Sequence, residues 1–189
     1  MQIWKNSSIS PAALVFLALL LAVLPPEWIL AVGTAALCHE LGHLAALWLC
    51  GEKISGISAE LGGMSIRTGM MSSGKRLFSI LAGPAAGLLP VFLSEYLPRT
   101  SVCALIFSTY NLLPVPGLDG GNALLCMLSM IFEKTAAEKI GNAAAEITGI
   151  LILVLGILAF SKGFGIYPLI FSVFLQIKIF RRKNNLQIF

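Results

Sequence analysis

Between Trp28 and Cys50 the chain runs for 23 residues with one acidic side chain, Glu40, and no lysine or arginine. A stretch this long and this apolar has one good solution. It forms a helix of about 20 residues that crosses a bilayer with its backbone hydrogen bonds closed inside the segment. Further apolar runs follow, so the whole chain must be read on the same terms. At 57% hydrophobic and 12% charged residues, it lies well away from the roughly 45–50% and about 25% of soluble domains. No basic patch is interleaved with aromatics, which argues against nucleic acid as a partner.

Apolar runs set against charge breaks predict an all-α membrane protein with six transmembrane helices. The spans are Ser8–Leu24, Trp28–Cys50, Leu77–Leu97, a broken fourth over Thr100–Phe132, Ala143–Phe160 and Phe164–Phe180. Ser10 fits an N-cap with Pro11 at the first helical position. The first run ends in Pro25-Pro26 rather than a small-x-small cleavage site, so it reads as a retained span. Trp28 and Trp48 suit interfacial anchors. Gly83-Pro84, Gly87 and Pro90 interrupt the third span. The fourth region holds 33 residues, too many for one straight crossing, and Pro114, Pro116 and Gly117 place its break.

A small membrane-associated β-hairpin is expected after the second span, with Ile54–Leu61 and Met64–Thr68 flanking a Gly62-Gly63 turn. Positions 1–189 read as a single integral-membrane domain with no PDZ- or CBS-like module. With the N-terminus in the cytoplasm, 11 basic residues fall inside and only Arg99 and Lys162 outside. That bias places both termini in the cytoplasm. The Arg181-Arg182-Lys183 tail anchors the last helix to anionic headgroups.

The second span carries His39, Glu40 and His43, an H-E-x-x-H pattern that contains both histidines of the chain. Residues four apart stack on one helical face, so both imidazoles can reach one ion. Glu40 points off that line and can act as general base on water held there. Zn2+ suits neutral imidazole nitrogen. The structural alternative is a packing pair or a pH sensor, which leaves an acid buried in lipid without a purpose.

A catalytic zinc normally has three protein ligands and an open position. With no third histidine, the sole aspartate, Asp119, is the leading candidate, at the break in the fourth span. Asp119 would also serve as the N-cap of the following helix. Glu146, inside the fifth span, either faces the site or snorkels to the interface. Cys38, beside His39, points about 100° away and is a poor ligand. Cys126 is seven residues beyond Asp119, too far to share its ion. The four cysteines form no C-x-x-C pair and read as small buried residues.

His39-Glu-Leu-Gly-His43, Ala82-Gly-Pro84 and Asn111-Leu-Leu-Pro-Val-Pro-Gly-Leu-Asp-Gly-Gly121 together resemble the site-2 protease family of intramembrane zinc metalloproteases. The likeness is nearest to the six-span stage IV sporulation protein FB type and covers roughly Ser8–Phe180. It implies that His39, His43 and Asp119 bind zinc, that Glu40 is the general base, and that Asn111 lies near the substrate or the water. It implies a membrane-tethered protein substrate, cut within or next to its transmembrane segment to release a regulator, in a bacterial cytoplasmic membrane. Regulatory membrane proteins are further partners, and oligomeric state is open. One departure stands out: sporulation-type members usually carry a soluble regulatory domain after the last span.

The rival classes are a membrane metal transporter, since ligands at a broken span also mark ion paths, and a non-catalytic membrane scaffold. The hairpin offers either a strand edge for extended substrate or a simple connection between spans.

Overall fold

The structure, a computed structural model, describes residues 8–60 and 63–186. The chain divides into two compact units, Met1–Leu112 and Leu113–Phe189.

The first unit opens with strand β1 (Ser8–Ile9) and helix α1 (Pro11–Val23). Helix α2 (Pro26–Leu49) starts at a proline in its first turn, where a missing N–H is harmless. It ends in a Schellman motif. Gly51 adopts φ 70, and the Gly51 and Glu52 N–H groups donate back to Trp48 and Leu47, as this helix end requires. Lys75 Nζ donates at 2.9 Å to both the Cys50 carbonyl and Glu52 Oε1, fastening this corner to the start of the helix that follows the hairpin, α3 (Ser73–Gly87).

The hairpin forms as β2 (Ile54–Glu60) and β3 (Gly63–Thr68), antiparallel, with a bulge between Ile54 and Gly56. Gly63 pairs with Glu60, so it belongs to a strand rather than to the expected turn. Leu61 and Gly62 lie outside the described residues. β1 adds to β2 in parallel through Ser8 and Ile9, two residues that the apolar run had assigned to the first span.

Helix α3 (Ser73–Gly87) runs straight through Gly83-Pro84 and passes into a 3-10 turn at Leu89–Leu93. The expected interruption at Gly83-Pro84 is therefore absent; Pro84 is tolerated inside the helix and fully buried. Helix α4 (Pro98–Asn111) follows. Buried positions on α2 are Ala31, Ala35, His39, Gly42 and Ala46, one helical face by spacing. On α4 the buried face holds Ser101, Ala104, Ser108 and Asn111, while Val102, Leu105 and Ile106 are exposed. Polar groups inward and apolar groups outward is the order that a lipid solvent imposes.

The second unit begins with a tight turn. The Val115 N–H donates to Leu113 at 2.7 Å and the Leu118 N–H to Val115 at 3.0 Å. Gly117 takes φ 84, and Val115 and Leu118 are fully buried. Helices α5 (Asp119–Ile131), α6 (Lys134–Ser161) and α7 (Tyr167–Leu186) follow. The cap of α5 is Leu118, and Asp119 sits in the first turn rather than at the cap.

Among the described residues, three helical stretches are long and apolar enough to cross a membrane: Pro26–Leu49, Ser73–Leu93 and Lys134–Ser161. They mark the chain as an integral membrane protein. The other expected spans are shorter among the described residues. α1 has 13 residues, α4 has 14 and α5 has 13, against about 20 for a full crossing. Among the described residues three of the six expected spans reach that length and hydropathy as continuous helices. The fourth region does break as expected, between Asn111 and Asp119. The fifth helix begins nine residues early, at Lys134. The sixth begins at Tyr167 because Gly163 and Gly165 hold φ 85 and φ 82 just before it.

Candidate metal and catalytic centre

The first unit brings His39 and His43 together on the inner face of α2. Their Nε2 atoms lie 3.2 Å apart, and the rings stand nearly perpendicular, at 81°. His43 Nδ1 is 2.8 Å from the Ser79 carbonyl of α3. A carbonyl can only accept, so Nδ1 carries the proton and the Nε2 lone pair faces His39. The His39 ring meets the edge of Phe107 from α4 at 89°, with centroids 5.0 Å apart.

Absent side chains make room for this arrangement. A Cβ on Gly83 would overlap the His43 ring, and one on Gly87 would come 3.2 Å from His39 Nδ1. Gly42, one residue before His43, sits against the Ala82 carbonyl and Ala86 Cβ. Small residues let α2 and α3 approach closely, and α3 forms the floor under both imidazoles.

The donor pair fits a metal ion. Two nitrogens bound to one tetrahedral zinc at about 2.0–2.1 Å would sit about 3.3 Å apart, and the observed 3.2 Å matches. A ligating histidine also needs its other nitrogen tied to an acceptor, which the Ser79 carbonyl supplies for His43.

Glu40 is half-buried on α2, one residue beyond the buried His39. Asn111 ends α4, is buried, and donates from Nδ2 to the Phe107 carbonyl at 3.0 Å. It stands one turn beyond the residue that packs on His39. Asp119 belongs to the second unit, at the start of α5. There Gly121 lets the helix close over the Val115 carbonyl, where a Cβ would collide, and the Asn122 N–H donates to Leu118 at 3.0 Å. Glu146 is half-buried on α6. The four cysteines, all among the described residues, form no disulfide.

Sequence reasoning missed the Ser79 carbonyl, Phe107 and the role of Gly83 and Gly87. A backbone acceptor leaves no mark in side-chain identity. The Gly83-Pro84 pair did stand out, but as a helix break instead of a floor.

Over 92% of this chain and 88% of the other, the structure aligns with the site-2 protease from Methanocaldococcus jannaschii, at a TM-score of 0.66 and 20% identity. The fold is that of a site-2 protease. Residues 91–155 match the model of peptidase family M50, a segment that includes Asn111, Asp119 and Glu146. Comparison of the sequence with curated proteins gives no significant match.

Proposed function

We propose that this chain is a zinc-dependent intramembrane metalloprotease. It cleaves a membrane-tethered protein within or next to its transmembrane segment and releases a regulatory factor. The observation that carries the reading is the convergence of the two Nε2 atoms to 3.2 Å, with His43 steered by a backbone carbonyl. A site-2 protease fold and a peptidase family M50 match support it.

Asp119 is the proposed third ligand. It is the only aspartate of the chain, and a carboxylate oxygen is a donor that zinc accepts beside two imidazole nitrogens. A bound zinc ion supplies Lewis acidity and lowers the pKa of water it holds to near 7. Glu40 takes a proton from water and passes it to the leaving amine. Asn111 has its amide fixed by the Phe107 carbonyl, which leaves Oδ1 to orient substrate or water. The small-residue floor of α3 excludes bulk solvent from beneath the rings.

The proposal extends to the whole chain as one catalytic domain, of the stage IV sporulation protein FB type, in a bacterial cytoplasmic membrane. Both termini face the cytoplasm on the basic-residue bias. The test is Glu40→Gln with a co-expressed membrane-tethered substrate. Cleavage is expected to vanish while metal content stays near stoichiometric, and unchanged cleavage removes Glu40 from the mechanism. Asp119→Asn should weaken zinc retention on purification; full retention would move the third ligand to Glu146. Metal-dependent flux in proteoliposomes without proteolysis would instead make the chain a transporter.

A further inference from the structure

His43 has its outer nitrogen tied to the Ser79 carbonyl. The matching position beside His39 is occupied by Ser108 of α4. Its side chain is fully buried, and its Oγ has no hydrogen-bond partner among the described residues. Other helical serines behave differently. Ser79, Ser101, Ser129, Ser161 and Ser172 each turn the hydroxyl back onto a carbonyl three or four residues earlier, the usual local solution. Ser108 Oγ lies instead over Gly87. A Cβ built there would sit 2.5 Å from Ser108 Oγ and 3.2 Å from His39 Nδ1, so hydroxyl and imidazole nitrogen border one methyl-sized space.

We propose that Ser108 is a positioning residue for His39: when the cation binds, its Oγ accepts the His39 Nδ1–H across the space that Gly87 leaves open. The contact fixes the tautomer that presents the Nε2 lone pair to the cation. Both ligand rings are then held from behind, one by a backbone carbonyl of α3 and one by a hydroxyl of α4. Outer acceptors of this kind tune both the angle and the basicity of a ligating imidazole. The inference rests on the metal-binding reading above.

The test uses the full chain in lipid nanodiscs, with zinc as the probe. Because the chain has two histidines, selective 15N-histidine labelling gives two rings, assigned with H39A and H43A. In S108A the zinc Kd, read by chelator competition, should rise about 10–100-fold. The slowly exchanging Nδ1–H of His39 should be lost while that of His43 persists. S101A removes another hydroxyl from the same buried face of α4 and should leave Kd and both protons unchanged. A wild-type Kd and an intact His39 Nδ1–H in S108A overturn the positioning role alone. Failure of the unmodified chain to bind zinc overturns the metal reading beneath it.

Discussion

Two helix pairs in this molecule are drawn close by glycine, and they use the closeness differently. In the first unit, Gly83 and Gly87 of α3 lie under the rings of His43 and His39. In the second, Gly149 and Gly156 of α6 lie against Gln176, Ile179 and Ser172 of α7. The sequence signature is the same in both: a residue without a side chain in an apolar helix, where backbones can approach. What differs is the group resting on it. Along α6 and α7 the neighbours are packing residues, and the result is adhesion. Along α2 and α3 the missing side chain is the room in which two imidazoles turn toward each other. Glycine alone does not report close approach, since Gly33 of α2 and Gly141 of α6 meet nothing within 4 Å; where the approach does occur, the partner tells whether chemistry happens there.

The sharpest way to break this contrast is Gly83→Ala. The added Cβ overlaps the His43 ring, so the ring must move, and a displacement near 1 Å can cost about 100-fold in rate. Cleavage is expected to fall by at least that factor, and zinc affinity with it, in a chain that still folds. Wild-type cleavage would mean that α3 does not position His43. Gly87→Ala should be milder, with cleavage down roughly tenfold on the same positioning argument. There the ring contact is 3.2 Å and the closest atom, at 2.5 Å, is Ser108 Oγ, so the hydroxyl must turn aside while the ring gives by a few tenths of an ångström.

Gly156→Ala tests the other side. Its Cβ would meet Ser172 Oγ at 2.6 Å and the Pro168 carbonyl at 3.0 Å. Overpacking of this kind destabilises by about 1–3 kcal/mol, readable as a lower unfolding midpoint in detergent. Cleavage per folded molecule should not change, and a loss there would erase the distinction between the two pairs. Smallest of all is Ser79→Ala. It removes the hydroxyl that donates to the Arg76 carbonyl at 2.9 Å but leaves the backbone carbonyl that holds His43. Stability should shift by no more than about 1 kcal/mol, with zinc affinity intact. A large fall in affinity would assign the hydroxyl a role that its geometry does not give it.

The parts of the fold legible in sequence were those governed by one local rule. α2 was visible because its apolar run is unbroken, and the gap between Asn111 and Asp119 because Pro114, Pro116 and Gly117 cannot continue a helix. The start of α6 was not, because hydropathy reports lipid contact whereas helicity continues into the polar Lys134–Asn142 stretch. Nor was β1, whose two residues become a strand only by pairing with Ser58 and Ala59. At the site, His39, Glu40 and His43 stood out through spacing on one helix. Phe107 and Ser108 did not, since nothing local links α4 to α2; tertiary packing alone sets that contact.

The claim beneath all of this is that the His39 and His43 Nε2 atoms hold a common metal ion. X-ray absorption at the zinc edge of the purified, membrane-reconstituted chain reads that directly. The account predicts about one zinc per chain, with two imidazole nitrogens at about 2.0–2.1 Å that disappear from the spectrum in H39A and H43A. A chain without bound zinc, or zinc whose shell contains no imidazole, would contradict it.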